Sequence, residues 1–326
     1  MMKLCRVVFV SFAAIAITLP APAQENRPKQ LVIVSFDGAH DNALWEKSRA
    51  IGERTGARFT YFLSCTFLMT RDERHGYRAP QQQAGRSNVG FARTRKEVRE
   101  RLNHIWDARN DGHEMANHAC GHFDGKNWSE ADWVSELKTF SSTLASAWER
   151  AGADEPAGWQ EFVGAEIKGF RAPYLSTNGH VSAALRATGH SYDASGVSRG
   201  PSVPRTSKRL SAFDLPLVPE GPKGRRVIAM DYNLFVRHSA GIENRADSDR
   251  FEERTYAAFR NAFDAQFNGP RRPLQIGLHF VEMNGGAYWR ATERLLSEAC
   301  GNPEVACVTY QEALRIQKER DEGSDA

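Results

Sequence analysis

The sequence predicts one α/β domain built on a parallel sheet. Short apolar runs alternate with longer helical patterns along most of the chain, and no repeat or linker divides it. No Gly-rich phosphate loop follows the first strand, which argues against the nucleotide-binding version of such sheets. Residues 31–36 (LVIVSF) read as a buried strand, 42–55 as a helix with Leu44 and Ile51 at helical spacing, and 59–63 as a second strand. An amphipathic helix over 96–108 is stopped by Asp111-Gly112, and 114–116 is the third strand. Ser129 opens a long helix with Glu130 and Asp132 in its first turn, as the helix dipole favours.

The alternation continues with a strand at 168–170, a helix at 179–187 and a strand at 190–192. Residues 196–224, rich in Pro, Ser and Gly, read as a long surface loop, followed by a strand at 227–230. A helix over 249–267 carries Phe251, Ala258, Phe259 and Phe263. Strand 274–280, helix 287–299, strand 305–310 and helix 311–318 complete the domain, with 319–326 as a flexible tail.

The first 23 residues stand apart. Lys3 and Arg6 precede an apolar run over 7–19, and Ala21-Pro22-Ala23 supplies a small-residue cleavage pattern, as a secretory signal peptide requires. The run is too short to span a bilayer, so no stable membrane insertion is expected after cleavage. The domain boundaries are therefore 1–23, 24–318 and 319–326, and the mature protein is expected to be exported, to a bacterial periplasm. There Cys65, Cys120, Cys300 and Cys307 can form disulfides. Cys300 and Cys307 flank the turn-forming Gly301-Asn302-Pro303 and could close a short loop, but four cysteines allow three connectivities.

The formal net charge of +3 falls to +1 once Lys3 and Arg6 are removed. No aromatic-interleaved basic stretch appears, so no nucleic-acid partner is expected and a neutral glycan is compatible.

Candidate functional residues fall just after strands, where parallel α/β sheets gather ligands. Asp37 follows the first strand, His118 and His122 the third, Arg171 the short strand at 168–170, Asp193 the next, and His279 lies near the end of 274–280. Each has a bland alternative. Asp37 could cap the following helix, Arg171 could sit solvated in a turn, and His279 between Leu278 and Phe280 could be a core histidine. The i,i+4 spacing of His118 and His122 suits two imidazoles on one metal if that segment turns helically.

Their order is more specific. Ser35-Phe36-Asp37-Gly38, the run from Asp111 through His118 to His122, Phe170-Arg171-Ala172-Pro173-Tyr174 and Leu278-His279 resemble the first, second, third and fifth motifs of the polysaccharide deacetylases, carbohydrate esterase family 4. The resemblance spans about residues 31–289 and implies a distorted (β/α) barrel of fewer than eight strands. It further implies a divalent metal, most simply Zn2+, on His118 and His122, with Asp37 as general base, Arg171 orienting it and His279 as general acid. The Tyr174 backbone N–H would help hold the oxyanion, and the substrate would be an N-acetylated glycan such as peptidoglycan, chitin or poly-N-acetylglucosamine.

Two departures accompany the resemblance. Gly38 stands where the family has a second Asp, so Asp37 is expected to reach the metal itself, with Asp41 as the alternative carboxylate and His40 as a further candidate. The fourth motif's Asp-Trp pair is not evident; Asp193 and Asp231 compete for its supporting role, Asp193 being closer in sequence to Arg171. Gly38 also motivates two other readings: a carbohydrate-binding protein that lost turnover, or a C–N hydrolase of a non-sugar amide on the same fold.

Overall fold

A computed structural model describes residues 27–324. The segment read as a signal peptide lies outside the described residues. Among them, no helix is long and apolar enough to cross a membrane.

The strands are β1 (Gln30–Gly38), β2 (Thr60–Leu63), β3 (Glu114–Asn117), β4 (Gly169–Phe170), β5 (Tyr192–Ser198), β6 (Arg205–Ser207), β7 (Leu210–Glu220), β8 (Arg225–Ile228), β9 (Leu274–His279) and β10 (Val305–Cys307). The helices are α1 (Asn42–Thr55), α2 (Arg95–Asn110), α3 (Glu130–Ala145), α4 (Ala147–Ala151), α5 (Trp159–Glu161), α6 (Val181–Ala187), α7 (Asp231–Ser239), α8 (Ser248–Phe267), α9 (Ala287–Ala299) and α10 (Tyr310–Ser324). All pairings along the series β9-β1-β2-β3-β4-β5-β7 are parallel. The turn of chain after β8 bridges back to β9, Met230 to Gly277, and Gln275 Nε2 donates to Asp214 O at 2.9 Å. The sheet thus curls into a distorted barrel with seven parallel staves, as the alternation and the resemblance predict.

Alternation along β1 explains how one strand serves two cores. Val32, Val34 and Phe36 pack outward with the helices, whereas Leu31 and Ile33 join Phe62, Ala116, Tyr192, Phe213 and Tyr310 inside the barrel. Ser35 and Asp37 continue the inward register. Polar residues follow apolar ones on that face, so the barrel is filled at one end and chemically equipped at the other. Tyr310, fully buried at the start of α10, plugs the filled end.

Two expectations change. Residues 196–224 are not a surface loop: they contain β6 and the eleven-residue β7, whose Leu215 and Val218 are buried. Pro216 and Pro219 disguise the strand, yet Pro216 still pairs with Ser198 of β5, and from Leu217 onward β7 pairs only with β8. Gly196 sits at the β5–β7 bulge, where a Cβ would come within 1.9 Å of Asp214 Oδ1, so the close approach requires glycine. The flexible tail expected from 319 instead continues α10, where Gln317 Nε2 donates to Asp321 Oδ1 and Arg320 Nη2 to Lys29 O.

Two disulfides close, Cys65–Cys120 and Cys300–Cys307. The first joins the chain after β2 to the loop between His118 and His122.

Candidate active site

A pocket of about 430 Å³ opens at the carboxyl ends of the strands, lined by Asp37, His118, His122, Tyr174, Tyr232 and His279 among others. A larger cavity of about 960 Å³ lies beside β10 and the amino-terminal ends of β2 and β3. Two of its three arginines, Arg109 and Arg315, are already matched by Glu166 and Glu312.

Arg171 organises one side of the pocket. It is fully buried: Nη1 donates to Asp37 Oδ1 at 2.7 Å and to Ser35 Oγ at 2.8 Å, Nη2 to Tyr310 OH at 2.8 Å, and Nε to Ala194 O at 3.1 Å. The guanidinium also lies over the Phe62 ring at 4.2 Å. Such complete pairing offsets the cost of burying the charge. Burial alone would raise the pKa of Asp37, but Arg171 above all, with His118 and His279, holds it below the ordinary carboxylate value. Asp37 therefore remains a carboxylate.

The β3 loop supplies the imidazole pair. The spacing of His118 and His122 is realised without a helix, because Ala119 and His122 take left-handed φ values of 57° and 55°. Their ring centroids are 5.1 Å apart. His118 Nδ1 faces Arg171 O at 2.8 Å, an arrangement that puts its proton on Nδ1 and leaves the Nε2 lone pair free. That Nε2 is buried and has no hydrogen-bond partner. Burial lowers the pKa of both rings, that of His122 to about 3 with His118 adding to the effect. Two neutral imidazoles, one with an orphaned and oriented nitrogen, suit a divalent cation.

The third donor is not gathered in. Among the described residues, no group of three His, Cys, Asp or Glu side chains forms a ready metal site. Asp37, expected to share the metal, accepts from Arg171 Nη1 through Oδ1. Asp41 caps α1, accepting from Ala43 N and Leu44 N through Oδ1. His40 is exposed and stacks on Phe67.

β9 brings His279 into register beside Asp37 on β1. Its Nδ1 pairs with Asp231 Oδ1 at 2.6 Å, and its backbone N–H donates to Asp231 Oδ2 at 2.7 Å. About 30% of the side chain remains exposed. Burial opposes the charge, yet the Asp231 carboxylate raises the His279 pKa to about 9.

The carboxylate that pairs with His279 is Asp231, whereas Asp193 pairs elsewhere. Asp193 lies behind Arg171, where its Oδ1 accepts from Ser195 N and Oγ, while Ser195 Oγ accepts from Ala172 N at 2.8 Å. Asp231 follows β8 as a strand-exit residue, the same signal that singles out Asp37. Ser35 and Tyr310 escaped notice, although Ser35 shares the inward register of Asp37.

Tyr174 has φ 58° and packs its ring edge-on to His122 at 4.6 Å. The hydrogen bonds of its turn run from Leu175 N to Ala172 O and from Ser176 N to Pro173 O, with the Tyr174 amide in neither.

No family model matches the chain, and no curated protein matches it in sequence. Solved structures do. A candidate polysaccharide deacetylase of Mycobacterium smegmatis superposes with a TM-score of 0.55 at 18% identity, covering 93% of this chain and 96% of that one. A probable polysaccharide deacetylase of Pseudomonas aeruginosa gives 0.52 at 14% identity, covering 88% and 91%. The chain therefore has a polysaccharide deacetylase-like fold.

Proposed function

We propose that the protein is an exported, divalent-metal-dependent hydrolase that removes N-acetyl groups from an N-acetylglucosamine-containing glycan. The observation that carries this reading is the opposed pair across one register step, a carboxylate at Asp37 and a protonated imidazole at His279. Hydrolysis of an amide needs both at once, a base for the attacking water and an acid for the departing amine. Asp37 takes the water's proton, with Arg171 fixing the carboxylate. Tyr174 donates its backbone N–H to the developing oxyanion. His279 gives its proton to the amine nitrogen, and Asp231 stabilises the imidazolium until then. His118 and His122 would hold the cation, Zn2+ being the simplest choice for imidazole donors, and a bound cation polarises the acyl carbonyl and lowers the pKa of water. Two disulfides support an oxidising compartment.

Acetate release from chitin oligomers, poly-N-acetylglucosamine or peptidoglycan should be measurable with Zn2+ and vanish in His118→Ala. No release from any of them by metal-loaded protein would overturn the reading.

Gly38 and the incomplete donor set favour a second reading, a glycan-binding protein without turnover. Metal analysis of the purified protein separates the two. One equivalent of Zn2+, lost in His118→Ala, supports the enzyme; sugar binding without metal supports the alternative.

A further inference from the structure

Residues 71–95 carry six arginines against two acids, Asp72 and Glu73. That local surplus of four charges exceeds the +3 of the whole chain. Many arginines elsewhere are matched: Arg49, Arg109, Arg260, Arg290 and Arg315 each meet a carboxylate. Among the described residues, no ion pair joins any of the six to a carboxylate within 4 Å.

Three of them, Arg71, Arg74 and Arg86, line one cavity of about 350 Å³ together with Ser87 and Gly90. Neither acid lines it, and Glu73 is turned to Thr70, accepting from its N at 2.7 Å and its Oγ1 at 3.0 Å. The frame is anchored: Gly85 N donates to Tyr77 O at 2.8 Å, and Val89 N and Gly90 N donate to Ser87 Oγ. Unmatched guanidinium groups around a concave surface raise the local potential, and their planar forks fit carboxylate or phosphate oxygens.

The loop that lines this cavity also touches the active pocket. Asn88, two residues beyond Arg86, donates from Nδ2 to His122 O at 3.0 Å and to Tyr174 OH at 3.4 Å. Two residues of chain span at most about 7 Å. A glycan with its reacting sugar against Tyr174 therefore meets the Arg86 end of the cavity within a short extension over Asn88, and Arg71 and Arg74 line the same cavity beyond it.

We propose that Arg71, Arg74 and Arg86 form an oxyanion subsite that selects a glycan bearing carboxylate or phosphate groups close to the acylated sugar. The substrate class is then acidic glycan, in place of the neutral one that the overall charge suggested. The proposal rests on the deacetylase reading only for the sugar that reacts.

Binding of acyl-free probes tests the subsite independently of turnover. In calorimetry, β-1,4-linked tetraglucuronate or 6-phosphorylated cellotetraose should bind about tenfold tighter than cellotetraose at low salt. Which of the two is preferred identifies carboxylate or phosphate. The preference should disappear at high salt and in the variant R71Q/R74Q/R86Q. Equal binding of all three probes, or a preference that survives the triple variant, overturns the proposal. Turnover checks the link to the pocket: the kcat/KM ratio for C6-oxidised over unmodified chitotetraose should fall toward one in the triple variant. A loss of folded protein would lower both values and leave that ratio in place, which would overturn the link. Probe preference without acetate release from any substrate would remove the deacetylase reading and leave the subsite standing.

Discussion

The pocket holds imidazoles in two opposite states, and what stands behind each ring decides which. His118 has a backbone carbonyl behind it, which orients the ring without charging it, and at His122 burial, with His118 and His279 nearby, outweighs the pull of Asp37. Both remain neutral, as ligands must. His279 has the Asp231 carboxylate behind it and holds its proton to about pH 9. The same side chain thus becomes a lone-pair donor on the β3 loop and a proton donor on β9. Asp37, its charge held in place by Arg171, favours protonation of all three rings; at His279 it adds to Asp231, whereas at His118 and His122 burial outweighs it.

The largest effect should come from removing the shared charge. Asp37→Asn takes away the base and leaves Arg171 buried beside a neutral amide. Activity should fall by about 10³–10⁴, and stability by roughly 3 kcal/mol, the lower end for a broken buried pair. Acetate release and urea unfolding measure the two losses separately. If activity falls by less than tenfold, Asp37 is not the base.

Asp231→Asn should erase the contrast between the imidazoles. His279 would lose the partner that raises its pKa, so activity at neutral pH should drop by about a hundredfold. In the unaltered protein kcat/KM should decline as pH rises through about 9. In the variant this limb should move below the ordinary histidine value of about 6.5. The linkage to stability has the same sign. A folded pKa above the unfolded one gives a contribution that is full below about 6.5 and lost as pH rises through about 9. An alkaline limb that does not move in Asp231→Asn would show that His279 is not the group titrating.

The disulfides offer a third comparison. Cys65–Cys120 spans 55 residues and braces the loop of His118 and His122, whereas Cys300–Cys307 spans 7 and braces a turn at the other end. Loop-closure entropy alone assigns about 4 kcal/mol to the first and about 2 kcal/mol to the second. Replacing Cys65 and Cys120 by Ser should lower Zn2+ affinity as well as Tm; replacing Cys300 and Cys307 should lower Tm only. Equal metal affinity in both double variants would mean that the β3 loop keeps its shape unaided.

The sequence reveals these features unevenly, and the reason is physical. β1, α1 and α9 are legible because a buried run or a 3.6-residue pattern declares them without reference to neighbours. β7 is not, since its prolines read as loop punctuation, while its ladder partners, β5 as far as Pro216 and β8 beyond it, are a fact of the sheet and not of the segment. In the site, Asp37, His118, His122 and Arg171 are visible as strand exits within shared motifs. The His279 partner depends on which helix follows β8, and α7 was hidden by the loop-like composition before it. The arginine segment shows the converse. Its charges are plain in the sequence, while their convergence on one cavity beside Asn88 belongs to the folded chain alone.

The smallest effect should come from Asp193, the carboxylate that sequence proximity favoured. Burial raises its pKa, in contrast to Asp37, even though Ser195 donates to it and Arg171 lies nearby. A group whose environment disfavours its charge does not depend on that charge to do its work. Its work is to accept from Ser195 N and Oγ through one oxygen, so that Ser195 Oγ can receive the Ala172 amide and set the turn that carries Tyr174. Asparagine keeps that oxygen. Asp193→Asn should therefore change kcat/KM by less than about threefold, with the alkaline limb near pH 9 unmoved, since the hydrogen bonds survive. Asp193→Ala should cost more, about 1–3 kcal/mol of stability, because Ser195 then loses its acceptor in a largely buried setting. If Asn instead matches the hundredfold loss of Asp231→Asn, the negative charge behind Arg171 takes part in catalysis and the division of labour between the two aspartates fails.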